Sequence, residues 1–175
     1  MKNGIGILAM IMFLSSTIFI TGCGGNSNSG GKKDLLEISA SDFVAKYNSA
    51  IESFGKQAGQ NYSSLKAKNV SSAQENNNQM VMFDTGNNHV VLVENNNKLV
   101  SVVLNIVSSN DPNNDILLAL LVAANGKDEH KNILVDLMNN GGERQVGNVV
   151  FRLIAQNGQA VFMINDATFD KNLGR

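Results

Sequence analysis

Between Ser39 and Phe54 the apolar side chains Phe43, Val44, Tyr47, Ala50, Ile51 and Phe54 recur at the spacing of one helix face, which predicts an amphipathic helix over 39–54. Ser39 with Asp42 three residues on supplies its start, and Gly55 its stop. The period then falls to two. Leu65, Ala67 and Asn69 alternate with Lys66 and Lys68, and short apolar runs follow at Met80–Asp84, His89–Glu94 and Lys98–Val107, separated by Asn- and Gly-rich turns. In the last run Val100, Val102, Leu104 and Ile106 share one face and Ser101, Val103 and Asn105 the other, as in a half-buried antiparallel strand.

Asp111-Pro112 opens a second helical stretch, in which Ile116 to Ala124 (ILLALLVAA) is apolar on every side and too short to span a bilayer. Gly126 ends it. A third helix from Asp128 buries Ile133, Leu134, Leu137 and Met138 and stops before Gly141-Gly142. Val146–Gln156 and Gln159–Asn165 read as strands joined by Asn157-Gly158, a dipeptide suited to a type I′ hairpin turn. In the first of these Val149, Phe151 and Leu153 face one way, and Arg152 lies between Val150 and Ile154 on the other face, which marks that face as wet or paired. The order α-β3/4-α-α-β-β predicts an α+β fold, a mostly antiparallel sheet of about five to six strands with the helices on one face and the other face incompletely covered. In element order alone it is similar to the helix-plus-curved-sheet folds of the TATA-binding-protein-like and cystatin-like kind. That similarity licenses no activity, and the body beyond the N-terminal segment resembles no family.

The N-terminus carries an address. Met1-Lys2-Asn3 is a short basic start, Ile5 to Ile20 is an apolar run, and Ile20-Thr21-Gly22-Cys23 is followed at once by a Gly/Ser/Asn stretch. An aliphatic residue, a small residue, a glycine and then cysteine resembles the lipobox of bacterial lipoproteins. The resemblance implies that signal peptidase cleaves between Gly22 and Cys23, and that Cys23 becomes an acylated N-terminus bearing an S-diacylglyceryl group, with or without an N-acyl chain. The chain then divides into a signal peptide over 1–22, a lipidated cysteine with a flexible tether over 23–33, and one domain over 34–175. The ten residues Gly24 to Lys33 (GGNSNSGGKK) would span about 17–19 Å as a random coil. Membrane contact is through the lipid anchor. The implied location is the bacterial cell membrane, or the outer membrane of a diderm host, since Gly24 is not the aspartate that retains lipoproteins at the inner membrane.

Composition narrows the chemistry. Fourteen Lys+Arg against 15 Asp+Glu leave a net charge of -1, which gives no basic excess for nucleic acid. The single cysteine excludes an intrachain disulfide and any multi-cysteine zinc site. No tryptophan and two tyrosines offer little surface for stacking a sugar. The 26 asparagines concentrate between elements, where their side chains favour turns.

Asp111, Asn113 and Asp115 match the opening of a calcium loop. Ile116 and Val122 stand where that loop requires glycine and glutamate, so a helix-capping turn is the preferred reading. Asp128-Glu129-His130 diverge around a helix and read as an acidic first turn. No metal site, catalytic constellation or cofactor is expected. Three functions stay open. The first is a non-catalytic binding or accessory protein of the envelope that engages another protein through the less covered sheet face or the Asn-rich loops. The others are a carrier of a lipid or small ligand beneath Ile116–Ala124, and an enzyme with a dispersed site near His89 or His130.

Overall fold

The computed structural model describes residues 34–66, 70–75, 77–84, 88–106, 114–156 and 159–172. The expected signal segment and tether, with Gly22 and Cys23, and Asp111-Pro112 and Asn113 lie outside them.

Helix α1 spans Ala40–Ala58. The Ser39 hydroxyl accepts the Asp42 N–H at 3.2 Å, as the sequence leads one to expect. It ends at Ala58, four residues beyond Phe54. Gly59, in the left-handed region at φ 64°, caps the helix with its N–H on the Gly55 carbonyl. Gly55 serves a different purpose inside the helix. The chain doubles back there, and a Cβ at Gly55 would sit 2.6 Å from the Gln60 carbonyl oxygen.

Seven strands form one antiparallel sheet in the spatial order β1-β2-β3-β4-β7-β6-β5. They are β1 (Val70–Glu75), β2 (Asn78–Asp84), β3 (Asn88–Asn95), β4 (Lys98–Ile106), β5 (Gly142–Val146), β6 (Val149–Gln156) and β7 (Gln159–Asp166). Between β4 and β5 come α2 (Asn114–Ala123) and α3 (Asp128–Asn140), and α4 (Ala167–Asn172) follows β7. The fold is α+β, with α1, α2 and α3 on one face of the sheet.

The alternation within each strand selects this inner face. Phe83, Val90, Leu104 and Phe162 form one row across four paired strands, and Leu92, Val102, Ile164 and Phe151 the next. All eight are buried in the core with Phe43, Tyr47 and Ile51 of α1 and Leu117, Leu120 and Leu121 of α2. A helix that is apolar all round is accommodated because α2 has both α1 and the inner layer to bury against. Leu36 and Ile38 also enter this core. The Leu36 N–H bonds the Ala124 carbonyl and the Leu99 N–H bonds the Ile38 carbonyl, both at 2.9 Å, so the chain is held firmly from the first described residues.

Four further expectations shift. The first strand among the described residues is Val70–Glu75; of the expected strand from Leu65 to Asn69, Leu65 is buried in an irregular segment, with its N–H bonded to the Asn48 side chain, and 67–69 lie outside the described residues. The stretch predicted as one strand from Val146 begins earlier and is two strands, because Gly147 (φ 57°) lets Gly142–Val146 fold back on β6. The sheet therefore has seven strands instead of about five to six. Helix α4 is an addition, started by Asp166, whose carboxylate accepts the N–H groups of Thr168 and Phe169.

The predicted hairpin stands, with Gln156 paired to Gln159; Asn157-Gly158 themselves lie outside the described residues. The turn role of asparagine is clearest between β3 and β4, where Asn96 (φ 51°) and Asn97 (φ 60°) both take the left-handed conformation a type I′ turn requires.

Candidate functional site

The outer face of the sheet follows from the same registers. One row runs Met80, Val93, Ser101, Asn165, Val150, and the next runs Met82, Val91, Val103, Met163, Arg152, Glu143. A third holds His89, Asn105, Val161 and Ile154. The middle row is apolar from Met82 to Met163 and charged at Arg152 and Glu143, while the rows on either side mix apolar residues with Ser101 and Asn165 or with His89 and Asn105.

The polar end is a connected network. Ser101 Oγ donates to Asn165 Oδ1 at 2.7 Å, and Asn165 Nδ2 donates to Asp170 Oδ1 at 2.7 Å. Arg152 reaches both Asp170 oxygens, Nη1 at 3.0 Å and Nη2 at 2.9 Å. Its Nε donates to Glu143 Oε2 at 2.9 Å, and Nη2 bonds the same carboxylate. Five residues from β4, β7, α4, β6 and β5 are thereby joined. The bond to Asp170, ahead of the opposing effect of burial, raises the Arg152 pKa still further above its ordinary value.

Asp170 is buried although it belongs to a six-residue helix, and its carboxylate lies against Arg152 and Asn165 on the outer face. Helix α4 is thus held over one end of that face by a buried ion pair with its remaining hydrogen bonds satisfied.

Towards β2 and β3 Met80 is 42 % exposed and Met82 40 %, beside the half-buried Val91 and Val103, while Val93 and Met163 in the same rows are buried; Ile154, also exposed, lies apart on β6 next to the half-buried Val161. An isolated exposed apolar side chain is ordinary, but several contiguous ones on an ordered sheet form a patch that suits protein contact.

The histidines do not form a common site. His89 is half-buried on the outer face, opposite Asn105. His130 is on the helix side: it is buried in the first turn of α3, its Nδ1 accepts the Lys127 N–H at 2.9 Å, and its ring lies 5.8 Å from that of Phe151. Burial, outweighing the nearby Glu129, lowers the His130 pKa. A neutral imidazole that caps a helix start accounts for this residue.

Asp115 accepts a hydrogen bond from the Tyr62 hydroxyl at 2.5 Å, which commits it to joining α2 with the segment after α1. Among the described residues no group of three or more His, Cys, Asp or Glu side chains is placed to hold a metal, and no helix is long and apolar enough to cross a membrane.

Sequence reading identified Arg152 as an odd residue on an apolar face and missed its partners. Asp166 before Ala167-Thr168 was an available signal for α4, and with it for Asp170. Met80 and Met82 were visible only as members of a short apolar run, because their exposure depends on which face the helices leave bare. Comparison of the chain with protein-family models, curated proteins and solved structures returns no match.

Proposed function

We propose that the chain is a lipid-anchored protein of the bacterial envelope that works without catalysis, by engaging another protein through the outer face of its sheet. The observation that carries the reading is the β2 and β3 part of that face, where Met80 and Met82 are exposed beside the half-buried Val91. Methionine suits such a role because its flexible, polarizable side chain adapts to a partner's shape.

The anchor rests on Ile20-Thr21-Gly22-Cys23 and the polar tether after it. Acyl chains at Cys23 would hold the domain to the bilayer, each buried methylene adding about 0.8 kcal/mol. The capping role of His130 supports a structural part for that residue.

The test has two arms. Metabolic labelling with an alkyne fatty acid should mark the wild-type chain and leave Cys23→Ala unlabelled; an unlabelled wild type would end the anchor reading. Crosslinked cells should yield a specific co-purifying protein with wild type and lose it with Met80→Lys/Met82→Lys. Recovery of the same protein by both would place the contact elsewhere and defeat the outer-face reading.

A further inference from the structure

The turn between α2 and α3 clamps the segment that precedes α1. The Leu36 N–H bonds the Ala124 carbonyl at 2.9 Å, and Asn125 Nδ2 reaches the Asp34 and Glu37 carbonyls at 3.4 and 3.3 Å. Lys127 Nζ lies 3.8 Å from the Asp34 carboxylate. Both sides of this clamp are wound unfavourably. Leu36 (φ 65°) and Asn125 (φ 66°) take the left-handed conformation, which a leucine rarely adopts unless its surroundings impose it. For Leu36 those surroundings are the bond to Ala124 and a buried side chain.

The clamp depends on a histidine just beyond it. Lys127 is the residue before α3; its N–H is accepted by His130 Nδ1 at 2.9 Å, and its carbonyl accepts the His130 N–H at 3.0 Å. Nδ1 can accept only while it carries no proton. Protonation there sets two donors against each other and places a positive charge in the first turn of a helix, at its positive end. The ring is 5 % exposed and lies against Phe151, so an imidazolium gains water only if the turn opens.

The surrounding charges offset little of that cost. On the same turn Glu129 Oε1 is 3.9 Å from Nε2 but mostly exposed, and Lys127 opposes it. Asp128 is engaged by Lys131. Of the elements packed on α3, α2 carries Asp115 at its far end, held by Tyr62. On β5, Glu143 and Arg144 are bound to Arg152 and Asp136, and β6 turns Phe151 to the ring and Arg152 to the other face. In the clamped segment Asp34 and Glu37 pair with Lys127 and Lys98.

We infer that the α2–α3 turn is an acid-released latch: a proton on His130 breaks the Lys127 cap, and the turn lets go of residues 34–37. The chain beyond them stays held, because the Leu99 N–H bonds the Ile38 carbonyl on the sheet side. Release also relieves the left-handed turn at Leu36. The latch does not depend on the outer-face reading; on the anchor reading, its opening would add slack where the domain meets its tether.

Amide hydrogen exchange on the full chain in lipid nanodiscs, corrected for the intrinsic rate at each pH, reads the latch. An opened turn binds a proton with the ordinary imidazole pKa of about 6.5, and the closed turn only at lower pH. Protection of the Leu36 and Lys127 N–H groups should therefore fall by up to about tenfold per pH unit below about 6.5 and level off where the buried imidazole titrates. Low urea should leave this exchange unchanged, as for a local opening. The Leu99 N–H and the core amides of β4 and β7 should stay better protected and keep the urea dependence of global unfolding. His130→Gln, which retains an acceptor, should abolish the pH dependence at both N–H groups.

Protection of Leu36 and Lys127 that ignores pH, or that matches the core amides in size and urea dependence, would overturn the latch. A fall at Lys127 with Leu36 unmoved would show a cap that opens alone and would overturn the release of 34–37. A pH dependence that persists in His130→Gln would place the proton elsewhere, with the same consequence. Should that variant fail to fold, the wild type decides: the levelling-off must coincide with the His130 ring titration followed by NMR, and a displaced one overturns the latch.

Discussion

Replacing Asp170 by alanine removes the group that holds α4 against the sheet. Asp170 accepts two bonds from Arg152 and one from Asn165, and it is 5 % exposed. Deleting one member of a buried ion pair costs about 3–5 kcal/mol when the survivor stays buried and unpaired. Two features of this site reduce that figure. Glu143 keeps hold of Arg152 through Nε and Nη2, and α4 is a short terminal helix that can lift away and admit water to the guanidinium. The expected cost is therefore about 2 kcal/mol, limited by the docking free energy of α4 itself. At roughly 3 °C per kcal/mol for a domain of this size, the melting temperature should fall by about 6 °C.

Circular-dichroism melts read the global loss. Amide hydrogen exchange should show protection lost first in 167–172, with the core strands β4 and β7 little changed. Arg152→Met and Asp170→Ala should be non-additive, with a coupling of about 1–3 kcal/mol in a double-mutant cycle. An Asp170→Ala melt within about one degree of wild type, or strict additivity of the two changes, would refute the assignment of Arg152–Asp170 as the clasp.

Other outcomes follow from single environments. Leu120→Ala removes a fully buried side chain of α2 and should cost about 2–5 kcal/mol in urea unfolding, with a small value showing that α2 is not packed as described. Gly55→Ala gains about 1 kcal/mol of helix propensity but brings a Cβ against the Gln60 carbonyl, so the net effect on the melt should be destabilising; a stabilised protein would show that the 60–62 segment is free to move. Burial lowers the His130 pKa, so on acidification through about 6.5 the unfolded chain binds a proton first; stability should decline from there and level off below the folded-state pKa. His130→Gln keeps an acceptor for the Lys127 N–H and should remove that part of the pH dependence. An identical pH profile in wild type and variant would contradict the depressed pKa.

The elements most legible in the sequence are those whose hydrophobic period serves a single burial requirement. The stripe Phe43, Tyr47, Ala50, Ile51 faces the core as its spacing says, and the alternation over Val102–Ile106 correctly separates the two faces of β4. Residues with competing roles were harder to read. Gly55 has the composition of a helix stop, yet it is required where the chain packs back on α1, and the stop falls at Gly59. Gly147 divides one apolar-looking run into two strands because positive φ is a property of the turn and leaves no trace in hydropathy.

The candidate site was half legible for a similar reason. Arg152 signalled a partner on the outer face, but Asp170 lies 18 residues away on a helix with no apolar period of its own, and only the pairing of β6 with β7 brings the two together. Met80 and Met82 face outward because of the register of β2 on β3, which their own neighbours in the sequence do not reveal.

The outer-face claim is tested most directly inside the cell, by placing a photo-crosslinking amino acid at Met82 and, as a control, at Val135, an equally exposed position on α3 across the sheet. The account predicts that the chain carrying the probe at 82 forms a discrete, light-dependent adduct with one other protein while the chain carrying it at 135 does not. A discrete adduct from 135 with none from 82 would contradict it.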